Sequence, residues 1–177
     1  DVIVFRLPRD ITQTYVKRLI GLPGDKIQVK EGILYINGAV APQVPDGVFQ
    51  EVMELQGPMK NRPRCQNGAV GIGAICEKAR ARETLPNGVE HDVLNIEDNG
   101  AADNTDVFTV PEGEFFFMGD NRDNSLDSRF DQRVGGVGFV PAEFLIGRAD
   151  RIIFSSAGAS MLYFWTWRMD RFFKAVE

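Results

Sequence analysis

Thr14-Tyr15-Val16-Lys17-Arg18-Leu19-Ile20, Gly21-Leu22-Pro23-Gly24-Asp25, Lys26-Ile27-Gln28-Val29-Lys30, Glu31-Gly32, Ile33-Leu34-Tyr35-Ile36 and Asn37-Gly38 follow one another without a gap, and their reading decides the fold class. Short runs rich in β-branched and aromatic residues are each closed by a glycine-containing turn, which is the pattern of strands rather than helices. Lys26 to Lys30 alternates charged or polar with apolar residues, so one face of that strand is dry and the other wet. Asn37-Gly38 after an apolar run is a hairpin signal, because both central residues of the tight turn need positive φ. Upstream, Val2-Ile3-Val4-Phe5 is a further short strand, ended by Leu7-Pro8-Arg9-Asp10. Four strands in such a short length predict a mostly β protein built on an antiparallel sheet.

Outward from this stretch the texture changes between Ala39 and Asp106. Prolines at 42, 45, 58, 63 and 86 punctuate it, and Glu97 to Asp106 is a polar, acidic loop. The segment 39–106 therefore reads as a less regular, β-rich subdomain inserted into a discontinuous β core formed by residues 1–38 and 107–155. The core pattern resumes at Val107-Phe108-Thr109-Val110, and Glu114-Phe115-Phe116-Phe117-Met118 reads as a buried strand. Gly147 to Phe154 predicts a final strand. Residues 156–177 form a tail in which Phe164, Trp165, Trp167, Phe172 and Phe173 stand beside Arg168, Arg171 and Lys174. Two readings of it stand: a short helix docked on the core, or an interfacial segment that meets a membrane surface.

Composition narrows the function classes. The 177 residues suffice for a sizeable core. A net charge of -5 supplies no basic footprint, which argues against nucleic acid as a partner. No run of about eighteen apolar residues is present to span a bilayer. The chain opens on Asp1 already inside a strand pattern, so it is expected to be a piece of a longer protein. Cys65 and Cys76 with the single His91 cannot close a tetrahedral structural zinc site, and no metal or other cofactor is expected. In an oxidising compartment the cysteines suit a disulfide, Cys65–Cys76, in place of a buried free pair.

Gly119-Asp120-Asn121-Arg122-Asp123-Asn124-Ser125-Leu126-Asp127-Ser128-Arg129 is a dense polar run placed directly after an apolar strand. Much of it suits a hydrogen-bonded corner in which Asp127 pairs with Arg129. A calcium loop fits poorly, because Arg122 stands at a ligand position and the required glycine and glutamate are missing; the loop 98–106 is a somewhat better place for such an ion. Nucleophilic chemistry needs a hydroxyl or thiol and a base. His91, next to Asp92, reads as a surface histidine. The other base is a lysine, which must be desolvated to be neutral near pH 7. Lys17 sits inside an apolar strand, although alternation alone would also let it point to water.

Tyr15 to Asp25 resembles the lysine box of the bacterial type I signal peptidases, the Ser-Lys dyad serine proteases also called leader peptidases. Gly119 to Arg129 is similar to their downstream box, and Asp1 to Arg6 to the strand between their serine and lysine boxes. The order is the family's, with a variable insert between the second and third. The resemblance implies a serine endopeptidase that removes signal peptides from exported preproteins after a small-x-small motif. It implies Lys17 as general base, Ser125 as the hydroxyl that orients its amine, Asp127 and Arg129 as a salt bridge beside the site, and Gly119 as the residue that leaves room for the lysine. It also implies signal peptides as partners, and a catalytic region on the periplasmic face of the bacterial inner membrane.

One departure stands out. The family's nucleophile lies in a Ser-Met-x-Pro-Thr box, and residues 1–177 contain none: Ser160-Met161 is followed by Leu162-Tyr163. The expectation is a chain that carries the base without its serine and is inactive alone. The alternatives are a non-catalytic β-domain relative, as a pseudoenzyme or binding module, and another Ser-Lys peptidase with a specific substrate.

Overall fold

The computed structural model describes residues 1–55, 61–153, 169 and 172–176. Among them the protein is mostly β, and its named strands pair antiparallel throughout. β1 (Val2–Leu7) and β2 (Asp10–Gly21) form a hairpin, with Lys17 opposite Ile3 and Leu7 opposite Asp10. The second strand thus starts at Asp10, earlier than the apolar run from Thr14 suggests. The Pro8-Arg9 pair makes the turn itself instead of separating two elements. β3 (Lys26–Lys30) and β4 (Ile33–Ile36) have the expected limits, and Ile27 and Val29 are the buried members of the alternation. Asn37 (φ 53°) and Gly38 (φ 82°) adopt the left-handed conformations that the turn needs.

The chain then runs through β5 (Ala39–Val40), β6 (Gln43–Val52), β7 (Ile75–Thr84) and β8 (Glu90–Asn95) before returning at β9 (Phe108–Thr109) and β10 (Glu114–Met118). β6, β7 and β8 make a three-stranded sheet of their own. The inserted segment is therefore more regular than its prolines imply. Pro45 is accommodated because β6 is an edge strand and its register shifts between Pro45 and Val48. The remaining strands are β11 (Val140–Pro141), β12 (Leu145–Arg148), β13 (Arg151–Ile152) and β14 (Lys174–Ala175).

Gly147 to Phe154 does not form one strand. β12 pairs with β1, and Ala149 N donates to Val2 O at the end of that ladder. β13 instead pairs with β14, so the change of partner breaks the run. Phe154 and most of the tail 156–177, including Phe164, Trp165, Trp167, Arg168 and Arg171, lie outside the described residues.

Two sheets carry the site: β11-β10-β2-β1-β12 and β5-β4-β3-β9. β10 is buried on both faces, which is why its sequence is continuously apolar. Phe116 and Met118 pack with Ile20, Ile27, Val29, Leu34 and Val110, toward the four-stranded sheet. Phe117 points the other way and stacks on Phe5 at 4.6 Å, with Leu7, Val137 and Val140 around it. Because β10 is clamped on both sides, the polar run that follows it starts from a fixed point.

A disulfide joins Cys65 to Cys76, closing a loop of 11 residues' separation. It ties the segment before β7 to the inserted sheet. By loop-closure entropy it contributes about 3 kcal/mol. A Cys65→Ser/Cys76→Ser variant is expected to melt roughly 6–12 °C lower by calorimetry, and an unchanged Tm would show that the crosslink is thermodynamically idle.

Candidate active site

The polar run leaves β10 at Gly119 and folds into a 3-10 turn, Arg122–Asn124, ahead of Ser125. Its frame is electrostatic. Asp127 is fully buried, and its Oδ1 accepts from Arg129 Nε at 2.9 Å and from Arg129 N at 3.2 Å. Its Oδ2 accepts from Arg129 Nη2 at 2.9 Å and from Gly119 N at 3.0 Å. Four donors on two carboxylate oxygens satisfy the buried charge. Ser128 locks the far end: its Oγ accepts from Phe117 N at 2.9 Å, and its own N donates to Phe117 O.

Lys17 enters from β2. Its neighbours on the same strand face are Tyr15 and Leu19, while Arg18 lies on the other face and pairs with Asp120 through Nε at 2.8 Å and Nη2 at 3.0 Å. The Lys17 Nζ donates to Ser125 Oγ at 2.6 Å and sits 5.9 Å from the centre of the Tyr15 ring. Burial pushes the amine below the ordinary lysine value. Asp127 opposes that shift, Arg129 adds to it and Asp120 opposes it. Of the two orientations that alternation permits, the side chain has the inward one, half-buried.

Gly119 is required at its position by space. A Cβ built there would lie 2.2 Å from Ser125 Oγ, 2.6 Å from Ser125 Cβ and 3.4 Å from Lys17 Nζ. The structure thus brings Lys17, Ser125, Gly119, Asp127 and Arg129 into one constellation. Ser125 is 8% exposed, and it opens with Lys17 on a cleft of about 830 Å³ walled by Tyr15, Pro63, Arg64, Ala102, Leu126 and Phe130.

His91 is not a surface residue. It is 1% exposed, facing Glu83 on β7 at 3.1 Å and Asp120 at 3.6 Å. Strand pairing places it directly opposite Glu83, on the inner face of the inserted sheet. Nor is the acidic part of the corner grouped for a cation. Asp123 Oδ2 accepts from Ile96 N and Glu97 N, and Asp103 Oδ2 accepts from Gly100 N. Among the described residues no three His, Cys, Asp or Glu side chains are gathered to hold a metal ion. Two participants escape sequence reasoning. Glu83, in Ala81-Arg82-Glu83-Thr84, has the local pattern of an exposed strand residue, yet it is buried against Arg122. Arg64 carries no local signal either, and it donates to Asp123 O and to Glu97 across the cleft rim.

The lysine's burial has a measurable consequence. An amine that is harder to protonate in the folded chain makes unfolding take up a proton, so its contribution to stability rises with pH from the folded pKa up to the ordinary 10.5. Lys17→Met removes that dependence. In urea titrations the variant should be more stable than the parent near neutrality, with the gap closing toward pH ~10; a gap independent of pH would contradict the desolvated amine. Gly119→Ala should cost about 1–3 kcal/mol through the forced displacement of Ser125, and a parent-like urea midpoint would refute that packing.

The residues match a known family. A family model described as signal peptidase, peptidase S26, covers residues 1–154. A signal peptidase I of Rickettsia bellii (strain OSU 85-389) is 39% identical over 166 residues, covering 88% of this chain and 47% of the relative. The signal peptidase I of Rickettsia typhi is 40% identical over 162 residues, covering 88% and 52%. A crystal structure of a signal peptidase I from Enterococcus faecalis V583 aligns at 28% identity and a TM-score of 0.41, over 83% of this chain and 91% of that one. The chain spans about half the length of the curated relatives it matches. With Lys17 and Ser125 both inside the matched residues, the chain belongs to the signal peptidase family, peptidase S26.

Proposed function

We propose that this chain is the catalytic region of a type I signal peptidase in which Lys17 is the general base of a Ser-Lys dyad. The observation that carries the reading is the Lys17 amine, withdrawn from water and held 2.6 Å from Ser125 at the floor of an open cleft. In this reading the attacking serine lies outside residues 1–177, and those residues alone do not cleave. Neutral Lys17 takes the proton from that serine as its Oγ bonds to the carbonyl carbon of the scissile peptide. The resulting ammonium passes the proton to the departing amine, leaving an acyl-enzyme. Lys17 then takes a proton from water as the water oxygen bonds to the acyl carbon, and hands that proton to the serine Oγ as the acyl C–O bond breaks, which frees the cleaved peptide and restores both groups. Ser125 fixes the direction of the amine's lone pair, Gly119 leaves the slot open, and the Asp127–Arg129 pair fixes the corner.

The proposed substrates are exported preproteins, bound as an extended strand and cut after a small-x-small motif. Between Asp10 and Val16, β2 has no strand partner on its β10 side among the described residues, which leaves a backbone edge beside Lys17 for such a peptide. Residues 1–38 and 107–155 act as the catalytic core, with 39–106 as an inserted subdomain and 156–177 as a C-terminal tail. The site faces the periplasmic side of the bacterial inner membrane. No helix among the described residues is long and apolar enough to cross a membrane.

In the full-length protein, Lys17→Ala should lower preprotein cleavage at least ~10³-fold while leaving the circular dichroism spectrum and Tm near those of the parent. Ser125→Ala should cost about a hundredfold, because the amine loses its orientation without losing its basicity. Parent-rate cleavage by Lys17→Ala would refute the dyad. A loss in Ser125→Ala as complete as in Lys17→Ala would make Ser125 the attacking hydroxyl and refute its supporting role.

A further inference from the structure

The inserted sheet sends a carboxylate into the corner. Glu83 is fully buried in the middle strand, β7, and strand pairing sets Gln43 on one side of it and His91 on the other. Gln43 Nε2 donates to Glu83 Oε1 at 3.0 Å, and Arg122 grips the carboxylate from the opposite direction, Nη1 at 2.8 Å and Nη2 at 2.5 Å. Burial pushes the Glu83 carboxyl up. The Arg122 charge and the hydrogen bonds from Arg122 and Gln43, with His91 Nε2 3.1 Å away, outweigh that and bring it down to about 2, so the carboxylate is ionised throughout the neutral range.

From Arg122 the connection reaches the Lys17 site along two routes. Along the chain, Arg122 opens the 3-10 turn that delivers Ser125. Across space, Arg122 O accepts from Arg129 Nη2 at 2.5 Å, and Arg129 holds Asp127, which in turn accepts from Gly119 N. Both walls of the slot for the Lys17 amine therefore lead back to one residue, Arg122, through its backbone, and Glu83 anchors that residue by its guanidinium. Backbone reinforces the join, since Leu94 N on β8 donates to Asp120 O at 2.8 Å. A buried ion pair stabilises a fold little compared with apolar packing, because desolvation offsets most of its attraction. What it does supply is direction, and here the direction is toward Ser125.

We propose that Glu83 is a positioning residue: through Arg122 it sets the Lys17–Ser125 geometry, so the inserted segment takes part in building the reactive site. The inference rests on the reading of Lys17 as the base. Loss of the Glu83 charge leaves Arg122, which lines the same cleft as Lys17, uncompensated, and an added positive charge there makes the amine harder to protonate.

The test compares Lys17→Ala, Glu83→Gln and the double variant Glu83→Gln/Arg122→Gln in the full-length protein, with kcat and KM for a purified preprotein measured against pH. Glu83→Gln should lower kcat about tenfold with KM within about twofold, and should move the acidic limb of the kcat/KM profile to lower pH. The double variant restores the charge balance, so its limb should return to the parent position while kcat stays low. A Glu83→Gln enzyme with parent kcat, or one whose limb is unmoved or moves upward, overturns the inference. If the single variant does not fold, the double variant decides: parent kcat overturns the proposal, and a lowered kcat with parent Tm supports it. Cleavage by Lys17→Ala at the parent rate would remove the base assignment itself, whereas an inactive Lys17→Ala beside an unaffected Glu83→Gln removes only the role of Glu83.

Discussion

The site depends on keeping one lysine amine out of water without giving it a carboxylate to pair with. Lys17 is surrounded by Tyr15, Leu19 and the corner, and its direct hydrogen-bond partner is a neutral hydroxyl, Ser125. Nearby charges do not cancel the effect of burial. Asp127, the nearest in influence, is already engaged by Arg129, and Asp120 by Arg18. A free carboxylate at either place would hold the amine protonated. The salt bridges around the site thus withhold negative charge from Lys17 as much as they brace the fold.

This explains why so many charged side chains are buried in one small region. Arg18, Glu83, Arg122, Asp127 and Arg129 are all buried, and each is bound to a partner of opposite sign. Two of the pairs, Glu83–Arg122 and Arg129–Asp127, are joined through the Arg122 carbonyl into a series from the inserted sheet through the corner to Gly119. Apolar packing could fill the same volume at less desolvation cost. It could not aim a backbone N–H, a hydroxyl and a guanidinium at fixed points around a slot too narrow for a Cβ.

The strands near the start of the chain were legible because their signals are local. Alternation in β3, the positive-φ turn at Asn37-Gly38 and the apolar run of β10 each carry their own physical cause. The corner was legible as a unit for another reason: a polar run straight after a strand buried on both faces has to find partners for its side chains, and Asp127 finds Arg129 within the run. Reading failed where the cause lay elsewhere in the chain. The final strand splits because the chain changes partner, from β1 along β12 to β14 along β13, and Pro45 sits within a strand because that strand is an edge.

His91 and Glu83 mark the boundary most clearly. Each sits in a short stretch whose neighbours are charged or polar, so locally each reads as solvent-facing, and only the meeting of the inserted sheet with Arg122 buries them. By itself the amino-acid sequence determined the antiparallel β class, the early hairpins, and the residue types that resemble a Ser-Lys peptidase. The tertiary structure alone decided which face of β2 Lys17 occupies, that Ser125 lies within hydrogen-bonding reach of its amine, and that Gly119 has no room for a side chain. The reason is separation along the chain: Lys17 and Ser125 are 108 residues apart, and burial of an amine is a property of everything packed around it, not of the strand that carries it.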